Sequence, residues 1–214
     1  MGVVNFGAPE KEVEFLQNTL GLEIFVEGGT YKGGTAKKKS NLFKKVYTIE
    51  KSELMFDIAK ENLKDIPNII MIKGDTREHF PQILNNEDNI LFWLDAHWSG
   101  GDTYGEEDEC PLIEELNIIF GYSKNYVILV DDARLFLATP PYPHKFQKWP
   151  LITDIIRTLP NGWEMVIYED VIYLYPVKIN NEFKSFLQKE IKNKENKQNV
   201  NTLVQKLFKK LRLC

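Results

Sequence analysis

Acidic side chains and one histidine follow two apolar, strand-like runs of the chain. One run leads into Asp95 and His97, and the next leads into Asp131 and Asp132. A histidine has an ordinary pKa of about 6.5, so it can act as a general base near neutral pH. The sequence therefore predicts His97 and Asp95 as catalytic residues. An alternative stays open, in which Asp95, Asp131 and Asp132 hold Mg²⁺, because carboxylate oxygens are its preferred ligands.

The chain contains three histidines, so the alternatives for the base are few. His79 falls on a predicted helix and His144 in a proline-rich loop. The position of His97 just after a strand favours it, because ligands of open α/β sheets bind outside the carboxyl ends of the strands. A purely structural interpretation is also open, in which Asp131 or Asp132 caps a helix and pairs with Arg134.

A glycine-rich turn, Glu-Gly-Gly-Thr-Tyr-Lys-Gly-Gly-Thr at residues 27–35, follows an earlier strand. Gly29 and Gly33 fall where the backbone bends sharply and a ligand can approach without a Cβ in the way. The start of the next helix favours a carboxylate or a phosphate. Glu27 would repel a pyrophosphate but could receive an amino group. The turn is therefore predicted to bind an amino-acid moiety such as that of methionine.

Two further acidic residues end the next two strands. Glu50 closes the second strand, where a carboxylate can accept both hydroxyls of an adenosine ribose. Asp75 follows the third strand, where its side chain or a neighbouring backbone amide could read an adenine. The alternative is that both have only a structural role, as polar strand ends or helix caps.

The elements that must position these residues alternate between strand and helix. The predicted helices span residues 9–20, 33–43, 52–63, 77–84, 111–120 and 151–159. The predicted strands span residues 23–27, 46–49, 69–72, 90–94, 126–130, 163–168 and 171–175. Only Glu169 and Asp170 separate the last two strands, which must pair antiparallel because a parallel crossover needs a dozen or more residues. The predicted fold is α/β, with a Rossmann-like, seven-stranded, mostly parallel sheet ending in an antiparallel hairpin.

These motifs in this order resemble a class I S-adenosylmethionine-dependent methyltransferase over residues 25–175. The Glu-x-Gly-x-x-x-Gly-x-Thr form is similar to small-molecule O-methyltransferases, including the macrocin O-methyltransferase type and related enzymes of surface-sugar pathways. The resemblance implies S-adenosylmethionine as the cofactor, held by Glu27, Gly29, Thr30, Tyr31, Gly33, Thr35, Glu50, Lys51, Asp75, Thr76 and Asp95. The macrocin type also implies Mg²⁺ at the acidic strand ends. Ala96 and His97 stand where that type carries a further acidic residue.

The implied activity is O-methylation of a small polar acceptor, such as a sugar or a nucleotide-linked intermediate of surface polysaccharide biosynthesis. The rival hypotheses are an NAD(P)-dependent oxidoreductase, which would continue its sheet in parallel, and a non-catalytic nucleotide-binding module. Residues 100–109, rich in glycine and acids, could form a lid over the acceptor. Trp98, Tyr104 and Tyr142 could stack on a sugar ring.

Composition sets the wider limits. The 214 residues, 43% hydrophobic and 27% charged, fit one soluble catalytic domain. No apolar run approaches the roughly 18 residues of a transmembrane helix, and the first residues do not resemble a secretion signal, so a cytoplasmic location is expected. Cys110 and Cys214 are expected to be free thiols.

The last part of the chain differs in charge from the rest. Residues 178–214 carry a net charge of +7, which leaves −11 for residues 1–177. The predicted boundary between the methyltransferase domain and the tail therefore lies between residues 177 and 178. Apolar spacing predicts a basic, amphipathic tail of two helices joined around residues 193–199. The tail is expected to pack on the domain or on a second subunit, or to contact a partner or a membrane surface. The acidic main domain argues against a nucleic-acid partner.

Overall fold

The computed structural model describes residues 7–98 and 108–211, with side chains described as far as residue 197. The chain divides into two compact units, Met1–Val177 and Lys178–Cys214. The helices of the first unit are α1 (Glu10–Leu20), α2 (Gly34–Lys39), α3 (Glu53–Leu63), α4 (Thr76–Asn86), α5 (Leu112–Phe120), α6 (Arg134–Leu137) and α7 (Ile152–Thr158). Its strands are β1 (Ile24–Gly28), β2 (Lys45–Glu50), β3 (Ile69–Lys73), β4 (Ile90–Leu94), β5 (Tyr126–Val130), β6 (Trp163–Tyr168) and β7 (Val171–Pro176).

The seven strands form one sheet in the order β3-β2-β1-β4-β5-β7-β6. The first five strands are parallel to one another, and β7 pairs antiparallel with both β5 and β6. Every residue of β1, β4 and β5 is buried, as expected for strands covered by helices on both faces. The predicted mostly parallel sheet with a closing hairpin is confirmed.

The hairpin turns at the two predicted residues. Glu169 and Asp170 have φ angles of 48° and 67°, the left-handed pair of a type I′ turn. The turn also reaches beyond the hairpin, because the Asp170 carboxylate accepts a hydrogen bond from the backbone N–H of Arg134 at 2.9 Å. The last two strands therefore hold the segment that follows β5.

The boundaries of the predicted helices and strands lie within two residues of the observed ones, except at the end of α2. Pro9 precedes α1 as its N-cap, and α2 ends at Lys39 rather than at residue 43. The hydroxyl of Ser40 donates to the carbonyl of Lys37 at 2.8 Å. Serine and asparagine side chains compete for backbone groups in this way, which favours a turn over a further helical turn.

The second unit contains one α-helix among its described residues, α8 (Asn180–Leu211), of 32 residues. The prediction of two helices joined around residues 193–199 was wrong. Residues 180–211 contain neither glycine nor proline, so nothing in the backbone interrupts the helix. Within this unit the rings of Phe183 and Phe186 stack at 6.3 Å.

Two smaller expectations concern membrane spans and thiols. Among the described residues, no helix combines the length and apolar character that crossing a membrane requires. Cys110 is a buried free thiol, whereas Cys214 lies outside the described residues.

Candidate active site

A cleft of about 430 Å³ opens at the carboxyl ends of β1, β2 and β3. It is lined by Gly29, Ile49, Glu50, Lys51, Gly74, Asp75, Thr76, Arg77, Ala96, Asp108 and Pro111. Five predicted cofactor residues therefore share one cavity, because parallel strands end at the same edge of the sheet. Neither Glu27 nor the predicted residues between Gly29 and Glu50 line it.

The glycine-rich turn requires its glycines. Gly29 has a φ angle of 89°, and a Cβ there would lie 2.3 Å from the carbonyl oxygen of Asp95. Gly33 has a φ angle of 82°, and a Cβ there would lie 2.8 Å from the side chain of Leu63. The first glycine lets β1 and the end of β4 approach each other at the cleft, and the second lets the turn pack against α3.

Glu50 is fixed at the cleft wall by backbone amides. Its carboxylate accepts hydrogen bonds from the N–H groups of Tyr31, at 2.9 Å, and Ser52, at 2.8 Å. Burial raises the pKa of Glu50, although these hydrogen bonds oppose the rise. A carboxylate has further lone pairs. Glu50 can therefore still accept hydrogen bonds from the hydroxyl groups of a ligand in the cleft.

Glu27 is a buried carboxyl group at the end of β1. It accepts a hydrogen bond from the hydroxyl of Thr48 at 2.6 Å, and that hydroxyl also lies 2.6 Å from the hydroxyl of Thr30. Burial raises the pKa of Glu27 to about 8, with a further rise from the charge of Asp95. No lysine or arginine among residues 7–98 and 108–197 forms an ion pair with it. A cation placed beside Glu27 would be stabilised and would lower this pKa.

Asp75 is held in an ion-pair network at the wall of the cleft. It caps α4 by accepting from the N–H of Arg77 at 3.0 Å, and the guanidinium of Arg77 donates to both of its carboxylate oxygens. Lys51 donates to it at 2.8 Å, and Arg77 also reaches Asp108. The hydrogen bonds from Arg77 hold the pKa of Asp75 well below its usual range. The helix-cap alternative is thus present in the structure, while Asp75 also lines the cleft.

His97 and Asp132 form a buried pair beyond the cleft. The Nε2 atom of His97 lies 3.1 Å from Oδ2 of Asp132, and its Nδ1 atom lies 3.8 Å from Oδ1 of Asp95. Burial opposes the charged imidazolium, but the hydrogen bond to Asp132 and the charge of Asp95 raise the pKa of His97 above its ordinary value. Asp132 therefore orients the imidazole ring and stabilises its charged form.

The other two carboxyl groups at these strand ends have raised pKa values. Burial, followed by the charges of Asp95 and Asp132, raises the pKa of Asp131 to about 7. Burial also raises the pKa of Asp95 to about 6, although His97 opposes the rise and 29% of the Asp95 side chain is exposed. Three carboxyl groups and one histidine thus lie close enough for their charges to shift one another's pKa values.

The predicted Mg²⁺ is not supported by this arrangement. No group of three His, Cys, Asp or Glu side chains within the part of the chain that the structure describes could hold a metal ion. The two carboxylate oxygens of Asp132 interact with His97, at 3.1 Å, and Arg134, at 2.7 Å. A cation would have to displace both of these partners.

The segment after β5 is fixed by the hairpin. Asp132 has a φ angle of 55°, and Arg134 connects it to the carboxylate of Asp170 in the hairpin turn. The N–H of Ala133 also donates to the carbonyl of Asp170 at 2.8 Å. The antiparallel end of the sheet therefore sets the position of the carboxylate that orients His97.

An aromatic wall stands behind His97. The ring of Trp149 packs edge-on against it, with centroids 5.4 Å apart. Trp149 donates its indole N–H to the buried carboxylate of Glu109 at 2.8 Å, and the same carboxylate accepts from the N–H of Lys145 at 3.0 Å. His144, an alternative base in the sequence, instead packs against Trp98 and Trp149.

The remaining predicted residues have varied positions. The backbone N–H of Tyr31 donates a hydrogen bond to Glu50, and 43% of the residue is exposed. The side chain of Thr35 hydrogen-bonds to Glu27 and so lowers the pKa of that carboxyl group. Trp98 is buried, whereas Tyr142 is 96% exposed, so the two do not form one sugar-stacking surface. Residues 99–107, which include Tyr104 and most of the predicted lid, lie outside the described residues.

Several site residues were missed by the sequence analysis, and Glu115 had the clearest signal. It lies on α5 between Leu112 and Ile119, at a spacing that places a carboxyl group on an otherwise apolar helix face. The hydroxyl of Thr76 donates to it at 2.5 Å. Asp170, Glu109 and Arg77 gave no comparable signal, because their partners are distant in the sequence or common on surfaces.

No protein-family model matches the chain, and no curated protein matches its sequence. Solved structures do match. A proposed caffeoyl-CoA O-methyltransferase from Staphylococcus aureus superposes with a TM-score of 0.58 and 15% identity, over 81% of this chain and 86% of that one.

Two further matches come from streptococci. A proposed methyltransferase from Streptococcus mutans, in complex with SAH, gives a TM-score of 0.53 and 14% identity over 79% and 99% of the two chains. An rRNA methylase from Streptococcus thermophilus gives a TM-score of 0.51 and 13% identity, over 80% of this chain and 98% of that one. At such low sequence identity, the similarity establishes a shared fold and nothing further. The chain has the Rossmann-like fold of these methyltransferases.

Proposed function

We propose that this protein is an S-adenosylmethionine-dependent O-methyltransferase that acts on a small polar acceptor. One observation carries the proposal: Ala96, which lines the cleft, lies in the chain between Asp95 and His97. His97 in turn pairs with Asp132. A methyl donor in the cleft would thus lie beside a base.

The cleft fits the proposed cofactor by its donors and acceptors. Glu50, fixed by two backbone amides, would accept the ribose hydroxyls, and the turn around Gly29 lets a ligand approach the backbone. Glu27 does not line the cleft, but it lies in β1 two residues before Gly29, where it would receive the amino group of the methionine moiety, a cation that would stabilise its ionised form. The bound cofactor supplies an electrophilic methyl group on a sulfonium.

His97 would remove the proton of the acceptor hydroxyl. In the neutral form of His97, with Nε2–H donating to Asp132, Nδ1 carries the lone pair and lies on the side of Asp95. The acceptor oxygen would take the methyl group that the bound cofactor supplies, and the sulfur would keep the electron pair of the broken carbon–sulfur bond. The acceptor proton ends on Nδ1, and the resulting imidazolium is stabilised by Asp132.

The acceptor class is inferred from this base. A hydroxyl needs its proton removed, and a small polar molecule such as a sugar or a nucleotide-linked sugar of surface polysaccharide synthesis offers one. The sugar assignment rests on the likeness of the glycine-rich turn to surface-sugar O-methyltransferases. Incubating the protein with labelled S-adenosylmethionine and a panel of nucleotide sugars, followed by mass spectrometry, tests the acceptor.

Isothermal titration calorimetry with S-adenosylhomocysteine tests the cofactor. Binding at pH 7, measured in two buffers of different ionisation enthalpy, should release protons, because the ligand's amino group lowers the Glu27 pKa from about 8. Glu27→Gln should lose this release. Glu23→Gln is the matched control, since the Glu23 side chain is 47% exposed and should leave binding and proton release unchanged.

Three results would speak against the proposal. If neither S-adenosylmethionine nor S-adenosylhomocysteine binds, it is wrong. Binding of NADH in their place would favour the oxidoreductase, although the antiparallel β7 does not fit a sheet that continues in parallel. If His97→Ala leaves methyl transfer unchanged, His97 is not the base.

A further inference from the structure

We propose that the loop between α6 and α7, residues 137–151 (the apolar loop), is a docking surface for an anionic lipid bilayer. The cleft contains no residue of this loop in its lining. The inference therefore does not depend on the proposed function, because it concerns exposed side chains outside the cofactor site.

The apolar loop exposes a concentration of large apolar side chains. Tyr142 is 96% exposed, and Leu137, Phe146 and Leu151 are each more than half exposed. Among the residues whose side chains the structure describes, these are four of ten exposed large hydrophobic residues. Apolar surface gathered in so short a segment is typical of an interaction site, because its contact with water is unfavourable.

The loop is fixed at its base. Its two ends lie close together, since the rings of Phe136 and Trp149 pack with centroids 5.6 Å apart. The buried carboxylate of Glu109 accepts hydrogen bonds from the backbone N–H of Lys145, at 3.0 Å, and from the indole of Trp149, at 2.8 Å. Compact surface loops whose ends meet are frequently functional. The fold therefore holds this apolar segment at the surface.

The charge of the loop indicates which partner fits. No acidic residue occurs in the sequence between Asp132 and Asp154, although residues 1–177 carry a net charge of −11. Lys145 is exposed and Lys148 is half-buried in the same loop. Lysines attract anionic head groups, and aromatic and aliphatic side chains enter the boundary between head groups and hydrocarbon. A bilayer with anionic lipids offers both kinds of contact.

A second copy of the chain fits this surface less well. In a symmetric dimer the same patch of both subunits meets across the interface. The lysines of the two loops would then face each other without acidic residues of the loops to pair with them. The bilayer is therefore the favoured occupant.

The apolar loop also borders the candidate active site. Trp149, at the fixed base of the loop, packs edge-on against His97 with ring centroids 5.4 Å apart. The docking surface and the contact to the candidate base thus belong to one loop. Docking through the exposed residues would bring this site to the bilayer surface.

Sedimentation with lipid vesicles tests the surface in the full-length protein. Vesicles of phosphatidylglycerol and phosphatidylcholine in equal parts (the mixed vesicles) are compared with phosphatidylcholine alone. The double variant Tyr142→Ser and Phe146→Ser should partition into the mixed vesicles about tenfold more weakly than the native protein, because two apolar side chains no longer enter the interface. Leu54→Ser with Ile70→Ser is the matched control, since both residues are exposed on other elements and should leave partitioning unchanged.

A second pair of variants tests the charge. Lys145→Gln with Lys148→Gln should weaken partitioning into the mixed vesicles by about fivefold or more, because each lysine near the surface contributes to attraction by anionic lipids. Lys37→Gln with Lys60→Gln removes the same charge from exposed positions on α2 and α3. This control should keep the native partitioning.

A fluorescent label locates the contact. An NBD dye is attached to Tyr142→Cys in a Cys214→Ser background, where the remaining thiol, Cys110, is buried. Its emission should rise and shift to the blue when the mixed vesicles are added, because the dye leaves water. The same dye at Leu54→Cys should show no change.

Three outcomes would overturn the inference. The first is a native protein that does not prefer the mixed vesicles to phosphatidylcholine. The second is unchanged partitioning of the double variant at Tyr142 and Phe146, or unchanged emission of the dye at residue 142, either of which would place the contact elsewhere, such as in the basic tail. The third is a dimer, detected by sedimentation velocity, that this double variant loses while no vesicles are bound. None of these measurements uses the cofactor, so their failure would leave the proposed function intact.

Discussion

Replacing Asp132 with asparagine tests how His97 obtains its raised pKa. The substitution keeps the shape of the side chain and removes one charge 3.1 Å from the Nε2 atom of His97. Asparagine also tolerates the left-handed backbone of this position, where φ is 55°. The variant therefore changes the electrostatics with little change in geometry.

The magnitude of the shift follows from the distance. At an effective dielectric constant of about 20, two unit charges separated by this distance interact by roughly 5 kcal/mol, which is an upper limit. An opposite charge this close typically shifts a pKa by about 1–3 units. Without Asp132, burial becomes the dominant influence and Asp95 opposes it only partly. The pKa of His97 should therefore fall by about 1–3 units.

An NMR titration of the imidazole protons measures this pKa directly. The chain has three histidines, so His79→Gln and His144→Gln identify the signal of His97. Asp131→Asn is the matched control, because Asp131 acts on His97 only through its charge and ranks below Asp132 and Asp95 as an influence. A pKa that moves by less than about 0.3 units in Asp132→Asn, or that falls further in Asp131→Asn, would refute the role given to Asp132.

Two further predictions concern stability. Burial raises the pKa of Glu27 from 4.5 to about 8, so between these pH values the folded protein holds a proton that the unfolded chain has lost, and stability should fall as pH rises through this window. The free energy of unfolding, measured with urea at pH 5 and at pH 8, should differ by an amount on the order of a few kcal/mol through Glu27, and Glu27→Gln should remove this difference. A variant that keeps the same difference between the two pH values would contradict the prediction. Glu169→Asn should raise the free energy of unfolding by roughly 0.5 kcal/mol, because asparagine favours the first position of a type I′ turn. A destabilised variant in the same urea assay would show that the native glutamate makes a stronger contact.

The sheet was predictable because its strands are short apolar runs with turn residues between them. The runs at residues 90–94 and 126–130 match β4 and β5 to the residue. The two-residue link at Glu169 and Asp170 allowed only an antiparallel pair. The helix expected to end at residue 43 stopped at Lys39, because local side-chain hydrogen bonds compete with helix continuation and periodicity does not report them.

The tail shows the opposite error. Its apolar residues change face around residues 193–199, which suggested a break between two helices. The backbone continues as one helix, since a change of apolar face is compatible with an unbroken helix that contains no glycine or proline. The divided charge of the chain was visible in the sequence, but the role of the tail stays a prediction.

By itself, the sequence determined the order of the strands along the chain, the acidic ends of β1 and β2, and the placement of His97 and Asp132 at neighbouring strand ends. These follow from local patterns, in which each residue's position depends on the strand that precedes it. Only the tertiary structure decided that Asp132 pairs with His97 and Arg134, that Asp75 is bound by Arg77, and that Thr76 donates to Glu115. The partners of His97 and Thr76 are 35 and 39 residues away. Packing rather than spacing brings them together and fixes which groups donate, which accept and which hold their protons.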